Sequence, residues 1–222
     1  MKRSPVLGAA LLIVFGVAAG AQAGPQAPPT CFGRPATIVG TNRHDSLNGT
    51  EGTDVIVGLG ASDDINGMGG DDYLCGNGGN DDIGIPFGVE DGADHIAGGE
   101  GFDDIDAGDS TDTTGGDVVL GGTQDDVLSG GPGADHVVGG PGDDSMEGEE
   151  GDDVLRGGPG SDFLLDTTPG GDVDQLFGNA GDDELRSDDG DDLDDVNGGE
   201  DFTGDICNSD PGDVESRCER EI

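Results

Sequence analysis

The sequence is poor in basic and aromatic side chains. Its 222 residues include 8 Lys and Arg against 50 Asp and Glu, so the formal net charge is −42, and Trp is absent. A surface this acidic repels polyanions, and we expect neither nucleic acid nor anionic membranes as partners. Low hydrophobicity with a high net charge is also typical of disordered chains, because too little apolar surface is buried to offset chain entropy. Composition alone leaves a disordered chain as one interpretation.

Long apolar runs are missing beyond the first residues. Lys2 and Arg3 precede an apolar run at residues 6–19, and residues 21–23 read Ala-Gln-Ala, a small-residue cleavage pattern. The pattern predicts a secretory signal peptide at residues 1–23, because the run is too short for a membrane-spanning helix. We therefore expect a secreted, extracellular protein without membrane insertion.

The acidic residues recur at a fixed spacing of nine. In a nine-residue frame that begins at Gly40, the sixth residue of every copy is Asp and the eighth is apolar, as in Asp45 and Leu47. Because the frame is set on Asp, the apolar eighth position is the independent sign of a repeating backbone shape. The sixth-position aspartates are Asp45, Asp54, Asp63, Asp72, Asp81, Asp94, Asp103, Asp117, Asp126, Asp135, Asp144, Asp153, Asp162, Asp174, Asp183 and Asp194.

Short insertions separate some of the copies. They are assigned to residues 85–88, 107–111, 166–168 and 187–188, directly before a new first position. Loops at the start of a turn can grow without disturbing the strand that follows, so the insertions are compatible with one continuous repeat.

Each copy combines a glycine-rich turn with a short strand. The first six residues, as in residues 139–144, contain glycines that adopt turn conformations forbidden to other residues. The last three alternate in direction, so the eighth side chain faces inward and its neighbours face outward. Two copies complete one coil, which places the aspartates of successive coils above one another at a spacing of about 4.8 Å.

Aspartates stacked in this way repel each other unless a cation lies between them. Asp126 is predicted to lie over Asp144, and Asp135 over Asp153. Carboxylate oxygens and the carbonyl oxygens of the turns select a hard divalent ion, and flexible turns with many oxygens favour calcium over magnesium. The repeat therefore predicts Ca²⁺ as the cofactor.

Several copies match a known motif at every defined place. Residues 98–105, 130–137 and 157–164 all fit Gly-Gly-x-Gly-x-Asp-x-apolar. With these residues the chain resembles the RTX, or hemolysin-type, calcium-binding repeat family over roughly residues 36–200. The resemblance implies an all-β fold, a right-handed parallel β-roll with two nonapeptides per coil and about eight coils.

The resemblance also implies the ligands. Calcium would lie between the turns of adjacent coils, bound by sixth-position aspartates and by turn carbonyls. The predicted carboxylate ligands are Asp45, Asp54, Asp63, Asp72, Asp81, Asp94, Asp103, Asp117, Asp126, Asp135, Asp144, Asp153, Asp162, Asp174 and Asp183. The predicted glycine ligands are Gly131, Gly133, Gly140, Gly142, Gly158 and Gly160. Where another residue replaces the fourth-position glycine, as Asp172 does, we expect a weaker site.

The repeat divides the chain into four parts. Residues 1–23 are the signal peptide, residues 24–39 an N-terminal linker and starting cap, residues 40–197 the calcium-binding roll, and residues 198–222 a C-terminal cap and tail. The roll is expected to be the functional unit, because the other parts lack the repeat.

Four cysteines predict two disulfides in a secreted protein, with three possible connectivities. Cys75 is predicted to face outward near the start of the roll, where Cys31 can fold back to reach it. Cys207 and Cys218 flank a short polar loop after the last copy. The favoured pairs are Cys31–Cys75 and Cys207–Cys218, and free thiols are the alternative.

No catalytic motif is evident, and we expect no enzyme. The candidate general bases are His44, His95 and His136, which sit on a periodic scaffold where solvated surface histidines are the simpler interpretation. The favoured function is a secreted calcium-binding protein that folds on binding Ca²⁺. The alternatives are an adhesion or matrix protein with a cell-surface partner, and a polysaccharide-acting enzyme that uses the insertions at 85–88 and 107–111.

Native mass spectrometry with and without calcium tests the repeat directly, because it counts bound ions. Pairing aspartates across successive coils predicts about seven to fourteen Ca²⁺ ions per chain. A chain that retains no ions in calcium would contradict the stacked arrangement.

Overall fold

The computed structural model describes residues 27–85, 92–108, 115–167, 172–187, 190, 194–199 and 204–218. The predicted signal peptide lies outside the described residues. In the part of the chain that the structure describes, every regular element is a strand. No helix there has the length and apolar character that crossing a membrane requires.

The described strands form one hairpin and two larger sheets. The hairpin pairs β1 (Thr30–Cys31) with β2 (Arg34–Pro35) in antiparallel fashion. The ten-stranded sheet contains β3 (Ile38–Val39), β5 (Val55–Val57), β7 (Tyr73–Gly78), β9 (His95–Glu100), β11 (Val118–Thr123), β13 (His136–Val138), β15 (Val154–Pro159), β17 (Gln175–Ala180), β19 (Asp195–Gly199) and β21 (Val214–Ser216). The nine-stranded sheet contains β4 (Ser46–Thr50), β6 (Asp64–Met68), β8 (Asp82–Gly84), β10 (Asp104–Asp106), β12 (Val127–Ser129), β14 (Ser145–Glu147), β16 (Phe163–Leu165), β18 (Glu184–Ser187) and β20 (Ile206–Ser209).

Consecutive strands alternate between these two sheets, so the chain winds into a solenoid. Each strand pairs in parallel with the strand two places later in the chain. In this register Val137 lies opposite Leu155, and across an insertion Ile83 lies opposite Ile105. The fold is an all-β solenoid of parallel stacked strands with about eight turns, which confirms the predicted fold class.

A single apolar column fills the space between the two sheets. The eighth-position side chains point into it, and Leu74, Leu155 and Leu176 are fully buried there. The buried members of the column are Ile56, Ile65, Leu74, Ile83, Ile85, Ile96, Ile105, Ala107, Val119, Leu128, Val137, Met146, Leu155, Leu164, Leu176, Leu185, Val196 and Cys207. Burial of this column stabilises strands that are too short to be stable alone.

The structure places the insertions after the first position of a copy, whereas the sequence analysis placed them before it. The backbone N–H of Gly148, a first-position residue, donates to Leu165 O in the next coil. Ile85, Ala107 and Asp166 donate in the same way to carbonyls of their next coils, so they occupy the first-position slot themselves. The inserted residues therefore follow this slot, because the ladder of hydrogen bonds between coils continues through it. Ile85 and Ala107 join the apolar column as a result.

Disulfides hold both ends of the solenoid. Cys31 is bonded to Cys75 with a Cα–Cα distance of 5.8 Å, which ties the hairpin to β7. Cys207 in β20 is bonded to Cys218, just after β21, with a Cα–Cα distance of 5.6 Å. These are the two pairings that the sequence favours. The second one joins the final strands of the two sheets and limits fraying at that end.

Stacking continues into the predicted C-terminal cap. Leu185 in β18 lies opposite Cys207 in β20, and Val196 in β19 lies opposite Glu215 in β21. Residues 206–216 therefore add a further pair of strands to the solenoid, although the sequence there departs from the nonapeptide.

We predict that Leu155→Ala lowers the free energy of unfolding by about 2–5 kcal/mol, because it empties part of a fully buried column. Guanidinium unfolding in saturating calcium, followed by circular dichroism, measures the loss. The matched control is Val127→Ala on the outer face, where the side chain is 55% exposed. A loss at Leu155 no larger than at Val127 would contradict the position of the core.

Candidate metal centre

The sixth-position aspartates form two columns, one at each set of turns. Within a column the backbone N–H of one aspartate donates to Oδ1 of the aspartate in the next coil. Asp126 donates to Asp144 Oδ1 at 2.8 Å, and Asp135 donates to Asp153 Oδ1 at 2.8 Å. The stacking predicted for these two pairs is therefore present. One carboxylate oxygen, however, is already used by the backbone.

The carboxylates in these columns are buried. Asp135 and Asp153 have no exposed surface, and Asp45 is the only half-exposed member of the predicted ligand set. The predicted ligands that are buried are Asp54, Asp63, Asp72, Asp81, Asp94, Asp103, Asp117, Asp126, Asp135, Asp144, Asp153, Asp162, Asp174 and Asp183. Burying so many ionised groups side by side is unfavourable without a compensating charge.

The second oxygen, Oδ2, lacks a hydrogen-bond partner through most of the solenoid. Among the described residues this holds for Oδ2 of Asp63, Asp72, Asp81, Asp103, Asp126, Asp135, Asp144 and Asp162. An unpartnered buried carboxylate oxygen loses its hydration without replacement. A hard cation supplies that replacement, and oxygen donors are the ligands that calcium prefers. The residues present therefore fit a calcium ion.

The first-position glycine leaves space for Oδ2. A Cβ built on Gly130 would lie 2.7 Å from Asp135 Oδ2 and 3.0 Å from the carbonyl oxygen of Gly148 in the next coil. A Cβ on Gly121 would lie 2.5 Å from Asp126 Oδ2. Sequence reasoning assigned these glycines to turn conformation, whereas the structure gives them a spatial role. The second and fourth positions adopt a left-handed backbone instead, as at Gly131 with φ 87° and Gly79 with φ 126°.

The six glycines predicted as carbonyl ligands lie in the stacked turns. Gly140 O faces Gly158 of the next coil, and Gly142 O faces Gly160. Gly133 N–H donates to a turn carbonyl one coil further on. These contacts show that the turns of successive coils stack on one another, and the role of these carbonyl oxygens as ligands stays a prediction.

The first two copies have a different environment. Thr41 donates to Asp45 Oδ2 through its backbone N–H at 2.6 Å and through its hydroxyl at 2.8 Å. Thr50 does the same to Asp54 Oδ2, at 2.7 and 2.8 Å. Oδ2 is therefore satisfied by protein in these copies. Threonine at the second position is the sequence signal for this, and it was not recognised.

Burial is the main cause of raised pKa values in the columns. It raises the pKa of Asp135 to about 9 and the pKa of Asp126 and Asp162 to about 7. The backbone N–H bond to each carboxylate lowers the pKa, and neighbouring aspartates of the same column raise it. Without a cation, these groups hold protons near neutral pH more readily than an exposed aspartate does.

One aspartate outside the repeat pattern joins this network. Asp166, assigned from sequence to an insertion, is buried and places a carboxylate oxygen within 4.8 Å of ligand oxygens on Asp153 and Asp174. Burial, followed by the charges of Asp174 and Asp153, raises the pKa of Asp166 to about 10. The sequence signal for this extra carboxylate is an aspartate, Asp166, in place of glycine at the first position of a copy.

The ladder also reaches beyond the predicted ligands. Asp183 N–H donates to Asp205 Oδ1 at 3.1 Å, and Asp205 is buried. Sequence reasoning ended the repeat at Asp194, because Cys207 stands where the apolar eighth residue of a further copy would follow Asp205.

The comparison with protein families agrees with this geometry. The sequence model of the RTX calcium-binding nonapeptide repeat (4 copies) matches residues 37–64, 48–83, 90–114, 111–146, 129–164 and 169–202. The chain belongs to this family. No curated protein matches the chain. The RTX repeats of this protein therefore account for most strands of both sheets, whereas the last strands, β20 and β21, lie beyond the matched residues.

The histidines lie apart from one another on the solenoid. His44 is exposed, with Nε2 3.9 Å from Asp64 Oδ2, and a backbone carbonyl and nearby acids raise its pKa. His95 stacks on Tyr73 with ring centroids 4.8 Å apart, and His136 is exposed. The insertions named as an alternative enzymatic site fall mostly outside the described residues. An RTX roll is a structural calcium-binding domain, and this arrangement of side chains fits that role.

The raised pKa values predict an opposite pH dependence with and without calcium. Asp135 has a pKa of about 9 in the folded chain against 3.8 for an unperturbed group, so between these values the folded state binds more protons than the unfolded state. The stability of the metal-free roll should therefore rise as the pH falls through this window, because the buried charges are removed.

Calcium binding needs the ionised form, so the calcium concentration for half-saturation should rise as the pH falls. Circular dichroism at pH 8 and pH 5, in chelator and during calcium titration, measures both trends. A metal-free β signal that is weaker at pH 5 than at pH 8 would contradict the burial of these carboxylates.

Proposed function

We propose that this protein is a secreted calcium-binding roll that folds when Ca²⁺ enters between its stacked turns. The observation that carries the proposal is the column of buried Oδ2 atoms without partners. In the absence of ions, these oxygens repel one another across successive coils. When bound, calcium supplies the positive charge that the columns lack, while the aspartates and turn carbonyls hold it in place.

The carboxylate ligands run from Asp63 to Asp183 in this proposal. Asp45 and Asp54 are not ligands in this proposal, because Thr41 and Thr50 already satisfy their Oδ2 atoms. A metal-free first coil, tied down by the Cys31–Cys75 disulfide, offers a preformed surface on which later coils can add. Folding would then spread along the solenoid from this end as ions bind.

Calcium availability would switch the fold. Extracellular calcium modules bind with dissociation constants of about 10⁻⁴–10⁻³ M, so a site of this kind is filled outside the cell and empty at cytosolic calcium concentrations. Binding that is restricted to the folded state stabilises that state by mass action. The metal-free chain would resemble the disordered state that its composition suggests.

Two features support secretion. The first residues have the charge and hydropathy of a signal peptide at residues 1–23, and two disulfides suit an oxidising compartment. The mature protein would then consist of the linker and starting cap at residues 24–39, the roll at residues 40–197, and the C-terminal cap and tail at residues 198–222.

Calcium titration followed by far-ultraviolet circular dichroism tests this function. We expect little β signal in EDTA and a cooperative gain on adding calcium. Asp135→Asn keeps an oxygen for the N–H of Asp117 but removes the charge at Oδ2, so it should raise the half-saturating calcium concentration roughly tenfold.

The control for this variant is Asp143→Asn, which removes the same charge from an exposed turn position. It should shift the midpoint little, because solvent already screens that group. The proposal is falsified if the β signal survives complete removal of calcium or if the two variants shift the midpoint equally.

A further inference from the structure

Asp166 occupies a slot that contains glycine in the two preceding coils of its sheet. Its backbone N–H donates to Arg186 O at 2.7 Å, in the pattern that Gly130 and Gly148 follow at their own levels. The slot faces the aspartate column, which is why a Cβ on those glycines would meet a carboxylate oxygen. The slot borders both the aspartate column and the apolar column, which Ile85 and Ala107 join, and the carboxylate of Asp166 is directed to the aspartates.

The carboxylate of Asp166 lies between coils, next to two repeat aspartates. A Cβ built on Gly148 would meet both Asp166 Oδ2 and, at 2.6 Å, Asp153 Oδ2. Ligand oxygens of Asp153, Asp166 and Asp174 all lie within 4.8 Å of one another. These residues come from three elements, since Asp153 precedes β15, Asp166 follows β16 and Asp174 precedes β17.

This group of carboxylates is closed to solvent. Each of the three residues is at most 2% exposed. No N–H or hydroxyl group of the described residues donates to Asp166 Oδ2, and its carboxylate can share a hydrogen bond with that of Asp153 only when one of the two is protonated. Asp172, which replaces the fourth-position glycine, adds a further negative charge that acts on Asp166. Its side chain accepts a hydrogen bond from Gly151 N–H at 3.1 Å. The usual levels of the solenoid bring two aspartates together, so this level carries more negative charge than its neighbours.

We propose that Asp166 turns this level into a calcium site with three carboxylate ligands, the tightest in the solenoid. The proposal rests on the calcium-binding function above and adds a ligand that the nonapeptide does not contain. Calcium affinity increases with the number of charged ligands and with the rigidity of the site. Asp166 binds an ion that is retained when the two-carboxylate levels have lost theirs, and this ion holds β15, β16 and β17 together.

The test compares ion retention in wild type, Asp166→Gly and Asp166→Asn. Asp166→Gly restores the residue that ordinary levels have in this slot, and Asp166→Asn keeps the shape but removes the charge. Native mass spectrometry during stepwise removal of calcium should show one ion retained longest by the wild type. Both variants should lose that ion, with the tightest binding weakened roughly tenfold.

Glu147→Gln is the matched control, because it removes one charge beside Gly148 from an exposed strand position. It should retain the last ion as wild type does. Circular dichroism in saturating calcium checks that each variant is folded. If Asp166→Asn does not fold, the comparison of wild type with Asp166→Gly decides the proposal.

Unchanged ion number and tightest affinity in Asp166→Gly would overturn this proposal alone, and would indicate a proton shared between Asp153 and Asp166. Absence of bound ions in the wild type would overturn it together with the calcium-binding function. The two failures are therefore distinguishable.

Discussion

Each coil of this protein brings the carboxylate of one aspartate against the backbone of another. Oδ1 accepts a hydrogen bond from the N–H one coil away, as Asp144 does from Asp126, and this bond fixes the direction of Oδ2. Oδ2 is then buried beside the α-carbon of a glycine, where solvent does not reach it. The need to compensate this oxygen links the stacking of the coils to their chemistry.

The two sheets and the turns depend on the same repeat length. The eighth-position side chains fill the apolar column, and the sixth-position side chains face the turns. The apolar and the charged side chain of one copy are therefore two residues apart in the chain. Burial of the apolar column favours the folded state, and repulsion within the acidic columns opposes it. In the proposed function, the balance between burial at Leu155 and repulsion at Asp153 would make the folded state sensitive to calcium and to pH.

Much of the fold follows from the nonapeptide, because its spacing is local. The nine-residue periodicity, combined with parallel stacking, is enough to predict that Asp126 lies over Asp144 and that Val137 lies opposite Leu155. The insertions were placed before the first position of a copy, because the frame was counted back from the sixth-position aspartate that follows each insertion. Ile85, Ala107 and Asp166 show that the slot accepts other residues when a loop follows it. Threonine at position two was overlooked because its role depends on an oxygen four residues away.

By itself the sequence determined the repeat, the inward apolar column, the acidic turns and the family, because each depends on residue type at a fixed interval. Only the tertiary structure decided which carboxylate oxygen the backbone uses, where threonine satisfies Oδ2, and that Asp166 joins Asp153 and Asp174. Those outcomes depend on the register between coils, and each insertion alters that register by an amount that composition does not reveal.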